Sequence, residues 1–129
     1  MTEFKRDTYD FGDGKLITTR SGWEMNYCFY LEWLKKQGEI KDWEYEPQRY
    51  YFIDYKVKPP KPLGNGYLPD FKVTNNDGSW YLVEIKGRMQ RQNKLKRMKR
   101  FYPEIKLELV DSNAYNELKR KVGKICNFE

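Results

Sequence analysis

The chain has 129 residues, a length that suits one domain and is too short for two. It contains no histidine, which excludes Ser-His-Asp and Cys-His nucleophilic sites, histidine-metal finger nucleases and zinc fingers with histidine ligands. Its formal net charge is +6, from 25 Lys and Arg against 19 Asp and Glu, and 17% of its residues are aromatic; this combination favours a nucleic-acid partner.

No segment predicts secretion or membrane insertion. The stretch from Met1 to Asp10 is charged and lacks the apolar core of a signal peptide. The longest apolar runs have about five residues, against about 18 for a membrane span. The two cysteines, Cys28 and Cys126, therefore predict reduced thiols in a soluble cytoplasmic protein.

The residues before position 20 predict an N-terminal arm, and residues 20–129 predict the folded domain. Within the arm, Lys15–Thr19 predicts a short strand after a turn at Gly12-Asp-Gly14. This arm has two interpretations, either a pairing element of a dimer or an ordered arm without that role.

Apolar residues at helical spacing predict the first helix, from Ser21 to Gly38. An exposed, Pro-rich and then Gly-rich loop is predicted at 58–66. The predicted strands are Asp42–Glu46, Arg49–Tyr55, Tyr67–Thr74, Ser79–Lys86 and Ile105–Val110, and the later helices are Gln90–Tyr102 and Asn113–Val122. The order α-β-β-β-β-α-β-α predicts a single α/β domain with a central mixed β-sheet flanked by helices.

The predicted strands Tyr67–Thr74 and Ser79–Lys86 form a hairpin that carries Asp70, Glu84 and Lys86. Side chains alternate along a strand, so Glu84 and Lys86 share one face, and the hairpin can bring Asp70 close to Glu84. Two adjacent carboxylates repel unless a divalent cation neutralises them, and Mg²⁺ accepts carboxylate oxygens. Lys86 could then orient a water or stabilise phosphoryl charge. The alternative is a cross-strand salt bridge on a solvated face.

Glu24 also has two interpretations. The spacing Ser21-x-x-Glu24 fits a capping box, in which the carboxylate satisfies the start of the first helix. Glu24 also lies at the edge of the apolar stripe of that helix, so it can face the sheet, where a further metal-binding carboxylate would serve.

Four motifs together resemble the PD-(D/E)xK nuclease superfamily and, within it, the bacteriophage endonuclease I family of Holliday-junction-resolving enzymes. They are Arg20-Ser-Gly-Trp-Glu24, Tyr45-Glu46, Tyr67-Leu-Pro-Asp-Phe71 and Val83-Glu-Ile-Lys-Gly87. The resemblance implies a restriction-endonuclease-like fold and a homodimer that cleaves branched DNA with Mg²⁺ or Mn²⁺. It further implies metal ligation by Asp70, Glu84, Glu24 and the Ile85 backbone carbonyl, with Lys86 as the catalytic lysine. The chain departs from the family in its longer Pro-rich loop before Asp70 and in having no long extension after the core.

The segment Lys86–Lys106 carries nine basic residues and one acid, Glu104, for a net charge of +8. Such a run is either a solvated helix face or a phosphate-binding surface. The candidate DNA-binding residues are Arg20, Arg88, Arg91, Lys94, Lys96, Arg97, Lys99 and Arg100.

The sequence thus predicts a metal-dependent endodeoxyribonuclease acting on branched DNA, with no membrane partner and no small-molecule cofactor. One alternative is a nuclease of the same fold that acts on DNA ends, duplex or a specific sequence. Another is a non-catalytic DNA-binding module, although clustered acids facing a polyanion argue against it.

Overall fold

A computed structural model describes residues 7–85 and 89–124, with side chains at 8–85 and 92–124. Within these ranges, the helices and strands follow one another along the chain as β1 (Asp7–Asp10), β2 (Leu16–Thr19), α1 (Gly22–Lys36), β3 (Asp42–Tyr45), β4 (Ile53–Asp54), β5 (Lys61–Pro62), β6 (Phe71–Thr74), β7 (Trp80–Ile85), α2 (Met89–Phe101), β8 (Leu107–Val110) and α3 (Ser112–Val122).

The centre of the fold is a four-stranded sheet in the order β3-β6-β7-β8. The pairs β3–β6 and β6–β7 are antiparallel, whereas β7 and β8 are parallel. Parallel neighbours need a crossover connection, and α2 supplies it. The predicted α/β class with a mixed sheet is therefore confirmed.

Each face of the sheet has its own apolar cluster, because β7 is central and its side chains alternate. Val83 and Ile85 belong to the cluster that contains residues of α1 and Tyr115 of α3, which we call the α1 cluster. Leu82 belongs to the cluster that contains Leu95 of α2, which we call the α2 cluster. The helices thus cover both faces of the sheet. In the described part of the chain, no helix is long and apolar enough to cross a membrane.

Helix α1 begins and ends at local signals in the sequence. The Ser21 side chain accepts a hydrogen bond from the Glu24 N–H at 3.2 Å, as an N-cap does. At the other end Gly38 has a φ of 78°, and the Glu39 N–H donates to the Leu34 carbonyl oxygen at 2.9 Å. This is a Schellman motif, whose left-handed position favours glycine.

Cys28 on α1 is a free, fully buried thiol, as the sequence predicts. Burial raises its pKa far above the usual range, so the thiol stays protonated and unreactive. Cys126 lies outside the described residues.

The prediction that Arg49–Tyr55 forms a strand of the central sheet is wrong. Only Ile53–Asp54 is a strand, and it pairs with Lys61–Pro62 in a separate two-stranded sheet. The loop predicted at 58–66 therefore contains a strand. The physical reason is that Tyr50 and Phe52 pack in the α2 cluster instead of pairing along β3. We call residues 50–67 the β4–β5 hairpin.

The remaining predicted elements agree with the structure to within two residues, except at two places. The strand predicted at Tyr67–Thr74 begins only at Phe71, because Pro69 has no N–H for a ladder hydrogen bond. The N-terminal arm contains a further strand, β1, which pairs with β2. Ile17 of β2 belongs to the α1 cluster, so this hairpin packs on the core.

Gly66 is required where the β4–β5 hairpin returns to the sheet. Its φ is +75°, and a Cβ there would lie 2.5 Å from the Tyr50 carbonyl oxygen. We predict that Gly66→Ala lowers the free energy of unfolding by about 2 kcal/mol or more, since a left-handed backbone and a clash combine. Gly78 has a φ of +88° but open space, so Gly78→Ala should cost only about 1 kcal/mol. Equal losses in urea denaturation would contradict the steric argument.

Candidate active site

Asp70 and Glu84 lie side by side at one end of the hairpin formed by β6 and β7. Phe71 pairs with Val83 in the antiparallel register, so Asp70, the preceding residue, is level with Glu84. The Oδ2 atom of Asp70 accepts a hydrogen bond from the Ile85 N–H at 2.7 Å. The Asp70 carboxylate is therefore held against the backbone of the strand that carries Glu84.

Both carboxylates are almost completely buried. Asp70 is 5% exposed and Glu84 is 3% exposed. The Oε1 atom of Glu84 accepts a hydrogen bond from the hydroxyl of Tyr67, itself fully buried, at 2.6 Å. A solvated strand face, the alternative interpretation, is wrong for these two residues. Neighbouring buried acids are costly unless positive charge or a shared proton compensates them.

Glu24 lies in the first turn of α1 and has contacts different from those of Asp70 and Glu84. Its Oε1 atom accepts a hydrogen bond from the Tyr45 hydroxyl at 2.5 Å, and its Oε2 atom lies 3.2 Å from the Ser21 hydroxyl. Burial, followed by this bond to Glu24, raises the pKa of Tyr45 far above its usual range, so the phenol remains a donor. The Glu24 carboxylate therefore does more than cap α1. Tyr45 connects it to the sheet, where Tyr45 pairs with Phe71.

The carboxylates of Asp70, directly before β6, and of Glu84, in β7, are of the chemical type that binds a hard cation. Carboxylate and backbone carbonyl oxygens are the ligands Mg²⁺ prefers, and this ion keeps several waters, so Asp70, Glu84 and the Ile85 carbonyl form an adequate donor set. Across residues 7–85 and 89–124, no three acidic, cysteine or histidine groups are arranged to hold a metal ion together. Glu24 is thus not grouped with the other two acids. Lys86, the predicted catalytic lysine, lies outside the described residues.

Glu46 has a structural role that sequence reasoning missed. Its N–H donates to the Asp70 carbonyl oxygen at 2.8 Å, and its carboxylate forms an ion pair with Arg20. The hydrogen bond to Glu46 raises the pKa of Arg20 above its usual range. Glu46 has a φ of 47°, in the left-handed region that is uncommon for residues other than glycine. The motif Tyr45-Glu46 was a signal, but the contacts of Glu46 join residues that are 24 and 26 positions apart in the chain and meet only in the folded domain.

The basic residues of α2 divide into two groups. Leu95 and Met98 belong to the α2 cluster and are buried. The Nη1 atom of Arg97 donates to the Leu63 carbonyl oxygen of the β4–β5 hairpin at 3.4 Å. Among the side chains described at 92–101, the exposed basic ones are Lys96, Lys99 and Arg100, while Lys94 is half-buried.

The other predicted DNA-binding residues are Arg20, Arg88 and Arg91. The Arg20 side chain is engaged by Glu46. Arg91 lies in α2, but its side chain is not among those described, and Arg88 lies outside the described residues. A phosphate contact by Arg20 would therefore have to compete with its ion pair.

Comparison with known proteins gives one family match. The sequence model of the family described as “Protein of unknown function (DUF1064)” matches residues 13–126. A search of curated proteins finds no match. The matched range contains Glu24, Asp70 and Glu84 together with all of α2.

Proposed function

The chain belongs to the DUF1064 family, and we propose that it is a metal-dependent endodeoxyribonuclease that hydrolyses phosphodiester bonds in branched DNA. One observation carries the proposal: Asp70 and Glu84 are buried side by side at the end of two strands. A helix with exposed basic residues belongs to the same small domain. Carboxylates repel the phosphates of DNA, so Asp70 and Glu84 can contribute to a DNA-cleaving site only with a cation between them and the substrate.

In this proposal, Asp70, Glu84 and the Ile85 carbonyl hold Mg²⁺ or Mn²⁺. Such an ion, when bound, activates water and stabilises charge on phosphoryl oxygens. The Ile85 N–H orients Asp70, and the Tyr67 hydroxyl orients Glu84. Fixed partners of this kind hold ligands in position before substrate arrives.

Two further residues complete the proposed chemistry. Lys86 orients the attacking water or stabilises negative charge on the phosphoryl group. Glu24 adds a third carboxylate, positioned by Tyr45. These roles follow from the resemblance to PD-(D/E)xK nucleases and from the helical position of Glu24.

The proposal includes a symmetric homodimer in the cytoplasm. A four-way junction must be cut on two opposed strands, and one chain carries one candidate site. A two-fold dimer places a second copy of that site on the opposed strand. The β1–β2 hairpin is the candidate pairing element, because Tyr9 and Leu16 on it are exposed apolar side chains.

Cleavage of a matched DNA panel tests the proposed function. Linear duplex, flap, single strand and four-way junction are incubated with Mg²⁺ or with EDTA, and a supercoiled cruciform plasmid tests for paired cuts. We expect Mg²⁺-dependent cleavage of the branched substrates and linearisation of the plasmid. Cleavage of linear duplex at the same rate would favour a nuclease with another target. Binding without cleavage of any substrate would favour a non-catalytic module.

The exposed basic face of α2 should contribute affinity without sequence preference. We predict that alanine at Lys96, Lys99 and Arg100 weakens binding to all DNA sequences alike. The salt dependence should flatten by about one slope unit per lost phosphate contact. Alanine at Lys119, Arg120 and Lys121, which are exposed on α3, removes the same charge elsewhere and is the matched control. An unchanged slope in the α2 variant would show that this face points away from DNA.

A further inference from the structure

The β4–β5 hairpin presents exposed aromatic rings among basic side chains. Tyr55 is 74% exposed and Tyr51 is 56% exposed. The basic side chains of the hairpin, all exposed, are Lys56, Lys58 and Lys61. Asp54 is the one acidic residue in 50–67, so the hairpin carries a net charge of +2. This charge favours an anionic partner, and the rings favour one with flat apolar faces.

The turn that carries Tyr55 is ordered by its neighbours. The Oδ1 atom of Asp54 accepts a hydrogen bond from the Lys56 N–H at 2.9 Å, which is an Asx turn around Tyr55. At the next pair along the hairpin, the Leu63 N–H donates to the Phe52 carbonyl oxygen at 2.7 Å. A ring held on an ordered turn loses little conformational entropy when it stacks on a partner.

Helix α2 anchors the hairpin. The Phe52 ring packs 5.5 Å from the Phe101 ring, centroid to centroid. The Tyr102 hydroxyl, directly after the helix, donates to the Tyr51 carbonyl oxygen at 2.7 Å. Arg97 in α2 also donates to the Leu63 carbonyl oxygen. The hairpin is therefore attached to α2 and Tyr102 by one ring contact and two hydrogen bonds, at Tyr51, Phe52 and Leu63.

The base of the hairpin adjoins the candidate active site. Tyr50 and Tyr67 form the bridge that closes it, and the Tyr67 hydroxyl binds Glu84. Tyr55 lies five positions after Tyr50, so its Cα is at most roughly 17 Å from the Cα of Tyr50 at the base of the hairpin.

We propose that the β4–β5 hairpin is a wedge that stacks Tyr55 on an unpaired DNA base close to the phosphate at Asp70 and Glu84. Lys56, Lys58 and Lys61 contact the flanking phosphates. The inference rests on the proposed nuclease function and specifies its substrate as DNA with accessible unpaired bases. Aromatic rings stack on any base, so the wedge selects DNA structure and not sequence.

Binding and base fluorescence test the wedge. Variants at Tyr55 are made in an Asp70→Asn background, and four-way junctions carry 2-aminopurine at successive positions from the branch. We expect Tyr55→Ala to weaken junction binding about tenfold and to abolish the fluorescence change, while binding to intact duplex is unaltered. Tyr55→Phe keeps the ring and should behave as the parent. Equal losses on junction and duplex, or no loss on either, would overturn the wedge.

Cleavage by the same variants with Asp70 restored separates this inference from the proposed function. If cleavage needs Asp70 but Tyr55→Ala cuts and binds junctions normally, the wedge fails and the nuclease proposal stands. If Tyr55 controls junction binding while the unaltered protein cuts no DNA, the nuclease proposal fails and the hairpin is a recognition element only.

Discussion

Replacing Asp70 with asparagine is expected to lower DNA cleavage by about a hundredfold or more, with the fold retained. The asparagine side-chain oxygen can still accept the Ile85 N–H, which Asp70 binds at 2.7 Å, so the shape of the site survives. The negative charge that would hold a divalent cation is lost. Junction binding in Ca²⁺ or EDTA should survive, because the acid does not attract DNA. The same loss of cleavage is expected for Glu84→Gln and Lys86→Ala.

Asp111→Asn is the matched control for this substitution. Asp111 caps α3 by accepting a hydrogen bond from the Ala114 N–H at 2.8 Å, and asparagine caps helices equally well. This variant should therefore keep both its stability and its cleavage rate. Undiminished cleavage by Asp70→Asn, measured on the four-way junction with Mg²⁺, would remove Asp70 from the site.

Glu24→Gln is expected to fold normally but to cleave DNA about a hundredfold more slowly. Glutamine retains an oxygen for the Tyr45 hydroxyl, which Glu24 binds at 2.5 Å, and the stability change should be about 1 kcal/mol or less. What glutamine lacks is the charge that a metal-binding or catalytic role requires. Thermal unfolding and junction cleavage, measured together, separate the two roles.

Ser21→Ala provides the opposite control. It removes the N-cap oxygen that accepts the Glu24 N–H and the hydroxyl near Oε2, but keeps the charge of Glu24 and the bond from the Tyr45 hydroxyl to Oε1. We expect a stability loss of about 1 kcal/mol with turnover preserved. Wild-type turnover in Glu24→Gln would instead assign Glu24 to capping and to its bond with Tyr45.

Features that depend on neighbours in the chain could be predicted from the sequence. The ends of α1 follow from the hydrogen-bonding capacity of Ser21 and the left-handed φ of Gly38. Strand alternation predicted that Glu84 lies on the face opposite Val83 and Ile85. In the structure Val83 and Ile85 are in the α1 cluster, whereas Glu84 binds Tyr67 of the α2 cluster on the other face. The level positions of Asp70 and Glu84 follow from the antiparallel register of a single hairpin.

Other features required the tertiary structure, because they depend on which surfaces meet. The aromatic stretch at Tyr50 and Phe52 has the local pattern of a sheet strand, yet its rings pack in the α2 cluster, so the chain forms a separate hairpin. The contact between Glu24 and Tyr45 arises only when α1 packs across β3.

The burial of the acids was likewise decided by packing. Alternation predicts which face of the sheet Glu84 occupies, but not whether that face is solvated. The Tyr67 hydroxyl binds Glu84, and both Glu84 and Asp70 are almost completely buried. The sequence by itself determined that Asp70 and Glu84 lie level with each other in one hairpin. Only the tertiary structure decided that both lie away from water, because desolvation depends on atoms contributed by distant parts of the chain.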